Sequence, residues 1–367
     1  MADQTKAISY SSYLQLEKLL SSQSPITKGS AAPAHDEMLF IIVHQVYELW
    51  FKEILTELDS VRSLFMAEYI SESEIGKAVA RLERVTKIQN ILLEQLAVLE
   101  TMTPLDFLDF RDQLNPSSGF QSVQFRLIEN KLGLKPEKRL AFTKHAYHSV
   151  LSDEEKEIVR RSEDEASLFE LVDQWLARTP FLQFEGFDFW ESYNSAVQKM
   201  LERELTIIKD NPMVTDEVRQ KEIENHQQTR ASFEAVLSEE RHAELVREGQ
   251  LSLSLKALQG SLMIFLYRDE PIFHLPFRLL TALIDIDELM TSWRNRHALM
   301  VQRMIGRKIG TGGSSGYHYL GEAAEAHKVF ADLVNLASFL IPKSELPELP
   351  EEFRRHLGFL YTKETEE

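Results

Sequence analysis

Apolar residues recur at three- and four-residue spacing along most of this chain, and no convincing stretch alternates residue by residue. The pattern therefore predicts helix after helix. Between His35 and Phe65 the stripe runs Phe40, His44, Tyr47, Phe51, Leu55, Leu58, Val61, Phe65, which is about eight turns and puts His44 on a face expected to be buried. Ser71 and Glu74 form a capping box for a second long helix, with a stripe through Ile75, Val79, Leu82, Val85, Leu92, Leu96 and Leu99. Pro104 opens a shorter helix in which Phe107, Arg111 and Leu114 share a face, and Asn115-Pro116-Ser117-Ser118-Gly119 ends it. Gln121 to Leu132 reads as helix, and a second capping box, Ser152 with Glu155, starts an acidic helical stretch expected to reach Arg178 before Thr179-Pro180.

The segment Phe181 to Tyr193 carries six aromatics and reads as core or interface. From Glu191 to Arg247 charge is dense and apolar positions sparse, as in long solvated helices that leave the main bundle. Leu251 to Tyr267 returns to apolar helix, Pro271 and Pro276 punctuate, and a last long helix follows to about Gly306 with Ile286, Met290, Trp293, His297, Met300, Val301 and Met304 on one face. Next comes GTGGSSG, four glycines in seven residues, then one more helix at about Glu322 to Leu340. The first residues suggest an arm, about 1–30, with a short amphipathic helix through Tyr10, Tyr13, Leu14, Leu16 and Leu19; the last, about 345–367, form an acidic tail. The expected fold is an all-α bundle without significant sheet, one domain over 1–367 with a helical excursion at about 150–247.

Charge and composition narrow the function. A net charge of −17 without a lysine-arginine cluster argues against nucleic acid and anionic membrane surfaces as partners. The absence of cysteine removes disulfides, thiolate ligands, iron–sulfur clusters and a cysteine nucleophile, so any metal must be held by nitrogen or oxygen. The start, MADQTKAISY, lacks the basic-then-apolar order of a secretory signal, and no apolar run is long enough to cross a bilayer, so a soluble cytoplasmic protein is expected.

Three features carry candidate chemistry. His297 and His44 sit among apolar positions, where a histidine either has its ring nitrogens bonded to backbone carbonyls or ligates a metal. Arg111 between Phe107 and Leu114 either lays its stem on the surface or clamps a carboxylate. The glycine loop follows a helix and precedes Tyr317, which excludes both strand-dependent phosphate signatures and leaves a connector or a lid offering hydroxyls and backbone amides. An apolar bundle has little reason to hold so many polar features idle, and a haem pocket between helices accounts for all of them.

The blocks HDEMLFIIVHQVYELWFKEILTELDSVR, LDFLDFRDQLNPSSGFQSVQFRLIENKLG, LVDQWLARTPFLQFEGFDFW, YRDEPIFHLPFRLLTALIDIDELMTSWRNRHALMVQRMIG and GTGGSSGYHYL resemble the tryptophan 2,3-dioxygenase family over nearly the whole chain. The resemblance implies a haem b, one per subunit, with His297 as axial ligand and Trp293, Met300 and Gly310 beside it. It also implies His44 as the distal residue facing substrate, Arg111 on the tryptophan carboxylate and Thr311 on the ammonium. Phe40, Phe107, Leu114 and Ser118 would shape the indole pocket, and Tyr10 and Tyr13 would arrive from a neighbouring subunit of a homotetramer, a dimer of dimers. The implied reaction inserts both atoms of O2 across the indole C2–C3 bond of L-tryptophan to give N-formyl-L-kynurenine, the first step of the kynurenine pathway. The alternatives are an indoleamine-type dioxygenase of broader specificity and a non-enzymatic haem carrier or sensor.

Overall fold

A computed structural model describes residues 8–136, 139, 151–178, 183–184, 187–306, 308, 320–321, 324 and 326–351. Among them helices dominate, as the periodicity predicts. After the short helices α1 (Tyr10–Tyr13) and α2 (Leu16–Leu20) come α3 (Glu37–Phe65), α4 (Glu72–Leu99), α5 (Pro104–Arg111) and α6 (Val123–Leu132). The chain continues through α7 (Asp153–Asp164), α8 (Leu168–Leu176), a two-residue antiparallel ladder of β1 (Gln183–Phe184) with β2 (Phe187–Asp188), and α9 (Phe189–Asp210). Helices α10 (Asp216–Leu237), α11 (Glu239–Arg247), α12 (Leu255–Leu266) and α13 (Pro271–Ile305) follow.

The bundle is built on α3, α4 and α13, with α4 between the other two. Leu58 and Val61 of α3, Leu82 of α4, and Leu279, Leu280 and Leu283 of α13 lose essentially all exposure there, and each such side chain contributes about 1.5–3 kcal/mol by leaving water. Polar side chains also bridge the three helices: Gln95 Nε2 donates to the Val43 carbonyl at 3.2 Å and Gln89 Nε2 to the Ile286 carbonyl at 3.3 Å. Helix α6 packs on α3, and α12 packs on α8. No helix among the described residues is long and apolar enough to cross a membrane.

Both predicted capping boxes are present: Ser71 Oγ accepts from Glu74 N while Glu74 Oε2 accepts from Ser71 N, and Ser152 pairs with Glu155 in the same way. Helix α6 stops at Gly133, whose φ of 124° and closeness to Phe169, 2.6 Å from where a Cβ would sit, admit only glycine.

Several expectations are corrected. The arm is two helices, because Gln15 takes the left-handed conformation at φ 52° between them. The acidic stretch to Arg178 is broken: Glu165 is extended and Ser167 starts a new capping box with Glu170. Pro276 does not punctuate; α13 runs through it for 35 residues. The ring removes only the hydrogen bond to the Ile272 carbonyl, close to the helix start, and burial of Phe273, Leu279, Leu280 and Leu283 outweighs that loss of about 3 kcal/mol. The helix expected over Glu322 to Leu340 is interrupted at 327–330 and resumes as Ala331–Asn335 with a 3-10 turn Leu336–Phe339. The acidic tail beyond 351 lies outside the described residues.

Candidate active site

Helices α3, α5, α6 and α13 enclose a cavity of about 300 Å³. Phe40, His44 and Tyr47 line it from α3, Phe107 and Arg111 from α5, Phe125, Arg126 and Glu129 from α6, and Trp293, His297, Met300 and Met304 from α13. Leu96 and Leu99 of α4, Ser118 and Gly119 after α5, and Leu320 and His327 after α13 also line it.

His297 sits one turn beyond Trp293, and the indole lies flat on the imidazole, ring centroids 5.0 Å apart and planes within 4°. The ring makes no hydrogen bond to a described residue. Part of its surface opens on the cavity, yet burial pushes its pKa down to about 4, with the nearby His44 adding to the shift. The imidazole is therefore neutral at physiological pH with a lone pair to give.

His44 is not packed into the core as its periodicity suggests. The buried face of α3 passes through Val43, Tyr47, Phe51, Ile54 and Leu58, and His44 lies beside it, open to the cavity. Its Nδ1 is 2.7 Å from the Phe40 carbonyl oxygen. A carbonyl can only accept, so Nδ1 carries the proton and Nε2 is left as an acceptor. Desolvation lowers its pKa, against the Phe40 bond and the Glu48 carboxylate, which raise it. The imidazole is tilted over Phe40 at 4.1 Å, and Phe40, Phe107 and Phe110 form a triangle of rings 5.4–5.8 Å apart.

Arg111 closes α5, which Thr103 caps through a box with Asp106. Its side chain is 14% exposed, lines the cavity, and makes a loose pair, 3.8 Å, with the exposed Asp112. Across the cavity stands a buried charge cluster. Glu129 accepts from Arg126 Nη1 at 3.0 Å and Arg294 Nη2 at 2.9 Å, with His327 Nδ1 at 3.6 Å. Burial pushes the Glu129 pKa up, but Arg126, the His327 hydrogen bond, Arg294 and Arg139 together hold it well below the usual carboxylate range. The pattern of residues singles out none of these four. Their signal is an arginine and a glutamate three apart on α6, between Phe125, Ile128 and Leu132.

The fold thus brings together Phe40, His44, Phe107, Arg111, Ser118, Trp293, His297 and Met300. Leu114 is packed half-buried against the core instead of lining the cavity. Tyr10 and Tyr13 stand away from it, 75% and 73% exposed. Gly310 and Thr311 lie outside the described residues.

An aromatic cavity between helices, with a histidine on one wall that bonds to no described residue and a tautomer-fixed histidine on another, has the form of a small-molecule site in a helical bundle. The family model of tryptophan 2,3-dioxygenase matches residues 1–340. The chain is 51% identical over 354 residues to the tryptophan 2,3-dioxygenase of Bdellovibrio bacteriovorus, covering 96% of this chain and 99% of that one. It is 48% identical to the enzyme of that name from Dictyostelium discoideum, over 97% of this chain and 90% of the relative. Tryptophan 2,3-dioxygenase B of Danio rerio is also 48% identical, over 93% and 84%. The chain belongs to the tryptophan 2,3-dioxygenase family and is an enzyme of that type.

Proposed function

We propose that this enzyme opens the indole C2–C3 bond of L-tryptophan with O2 to give N-formyl-L-kynurenine, using a haem b held by His297. The observation that carries the reading is the pair of histidines on one cavity, His297 with no hydrogen bond to a described residue and His44 with Nε2 unprotonated. The donor set fits haem: a neutral imidazole nitrogen, apolar neighbours Trp293, Met300 and Met304, and no thiolate in the chain. When bound, the haem supplies the activation of O2 that no side chain can provide.

The rest is positioning. The Phe40 and Phe107 rings offer stacking surfaces to an indole. His44 Nε2 accepts from the indole N–H and so selects the ring's orientation; a neutral histidine is too weak a base to remove so weakly acidic a proton outright. Arg111 takes the carboxylate in a bidentate pair, and Thr311 with the glycine loop takes the ammonium. The apolar walls exclude water and so strengthen each of these contacts. The exposed tyrosines of the arm are suited to completing the site of a neighbouring subunit in a homotetramer.

The test is a spectrum of the purified, haem-loaded protein with and without L-tryptophan, together with product identification. A histidine-bound haem that responds to L-tryptophan, and formation of N-formylkynurenine, are expected. Haem bound without turnover of tryptophan indicates a carrier or sensor instead. For the assembly, deletion of residues up to Leu20 is expected to raise the Michaelis constant; an active monomer contradicts the tetramer.

A further inference from the structure

Metal-ligating histidines are ordinarily oriented by a hydrogen bond from the second ring nitrogen to a carbonyl or carboxylate. His297 has no such bond to a described residue, and its ring lies parallel to, and stacked on, that of Trp293. What orients Trp293 therefore orients His297. The indole packs against Phe125 at 5.4 Å and, edge to face, against Tyr47 at 6.1 Å. Its single polar atom, Nε1, donates to the Tyr47 hydroxyl oxygen at 3.4 Å.

Tyr47 is built to receive that bond. Its hydroxyl donates to the Leu92 carbonyl of α4 at 2.5 Å, so the proton is committed away from Trp293 and the oxygen presents a lone pair to the indole. The side chain is buried, and burial pushes its pKa up to about 12, so the hydroxyl stays protonated across the working pH range and the direction of the chain does not reverse. Leu92 lies inside α4, about two turns before its end, on the helix between α3 and α13, which ties the anchor to the bundle. A run of four groups thus leads from a backbone carbonyl to the cavity: Leu92, Tyr47, Trp293, His297.

We infer that Tyr47 is a positioning residue for the histidine that would hold the haem, keeping the His297 imidazole in one orientation through its hydrogen bond to Trp293. The inference rests on the haem reading of His297. Tyr47→Phe removes the acceptor and leaves the ring volume in place, so the indole N–H loses its partner and the stacked pair is free to turn.

The experiment uses the haem-loaded protein and two conservative variants, Tyr47→Phe and Trp293→Phe, with their double. Resonance Raman of the ferrous form reads the iron–histidine stretch, and transfer of haem to an excess apo-globin reads its retention. Both single variants should shift or broaden the stretch and release haem about tenfold faster, the lower end of what loss of a supporting partner costs a metal site. The double variant should be no worse than either single one, because both cut the same chain. If Tyr47→Phe lowers the melting temperature but leaves the stretch and haem release unchanged, Tyr47 is only a core residue and the inference is overturned. Additive effects in the double variant overturn it too, since Tyr47 and Trp293 then act independently. A parent protein with no histidine-bound iron overturns the haem reading and this inference with it, whereas a normal parent with indifferent variants overturns the inference alone.

Discussion

Helices α10 and α11 each bury one histidine, while α3 and α13 each present one to the cavity, and the two pairs are treated in opposite ways. On α10 and α11 His226 Nε2 lies 2.9 Å from the Leu201 carbonyl and His242 Nε2 lies 3.1 Å from the Leu253 carbonyl, and both rings are buried. These are core histidines that join one segment to the next. In the cavity His297 makes no such bond, and His44 spends Nδ1 on Phe40 while Nε2 remains available. A nitrogen bonded to a carbonyl is committed to the fold; one left bare against a cavity is available to a ligand. The comparison separates architecture from chemistry where residue type and spacing do not.

Substitution can break this contrast at its widest point. His297→Ala is expected to give folded protein that retains little haem, while His226→Ala keeps its haem and costs about 0.5–1.5 kcal/mol of stability through the lost bond to the Leu201 carbonyl, which keeps its partner within α9. Soret absorbance and thermal melting measure the two; equal haem content in both variants would erase the distinction. Next in size is Glu129→Gln, which strips the carboxylate from Arg126 and Arg294 and should cost about 3–5 kcal/mol in denaturant unfolding. Because the folded-state pKa of Glu129 is depressed, its contribution is complete above the unfolded value of 4.5 and is lost as pH falls below it. The variant should accordingly show a shallower loss of stability in acid; an unchanged acid limb means the cluster is not what fails there.

Smaller effects sharpen the contrast within the cavity. Arg111→Ala should lose about 1.5–3 kcal/mol, or on the order of 10 to 150-fold in kcat/KM for L-tryptophan, and far less for tryptamine, which lacks the carboxylate. An equal loss on both substrates would make Arg111 a support of the fold or of the haem. The smallest change is expected for His44→Ser, which keeps haem and loses about 0.5–1.5 kcal/mol of transition-state stabilisation with the indole hydrogen bond. Loss of haem from that variant would mean that the two faces are assigned in reverse.

Much of this molecule can be read from local pattern. The capping boxes at Ser71 and Ser152, the proline start at Pro104, the stripes of α3, α4 and α13, and hence an all-helical fold, follow from interactions that close within one or two turns. The order of the motif blocks marks the family, and the described residues it singles out, Leu114, Tyr10 and Tyr13 apart, meet at one cavity. Tertiary structure decided the rest, because the deciding contacts join segments far apart in the chain. Pro276 stays helical only through the core its neighbours bury. Glu129, Arg294 and His327 form a cluster only where three segments meet, and Tyr47 reaches Trp293 only because α3 crosses α4 beside α13. Whether a histidine nitrogen is spent or free depends on which carbonyl the fold brings within about 3 Å, and no periodicity encodes that distance.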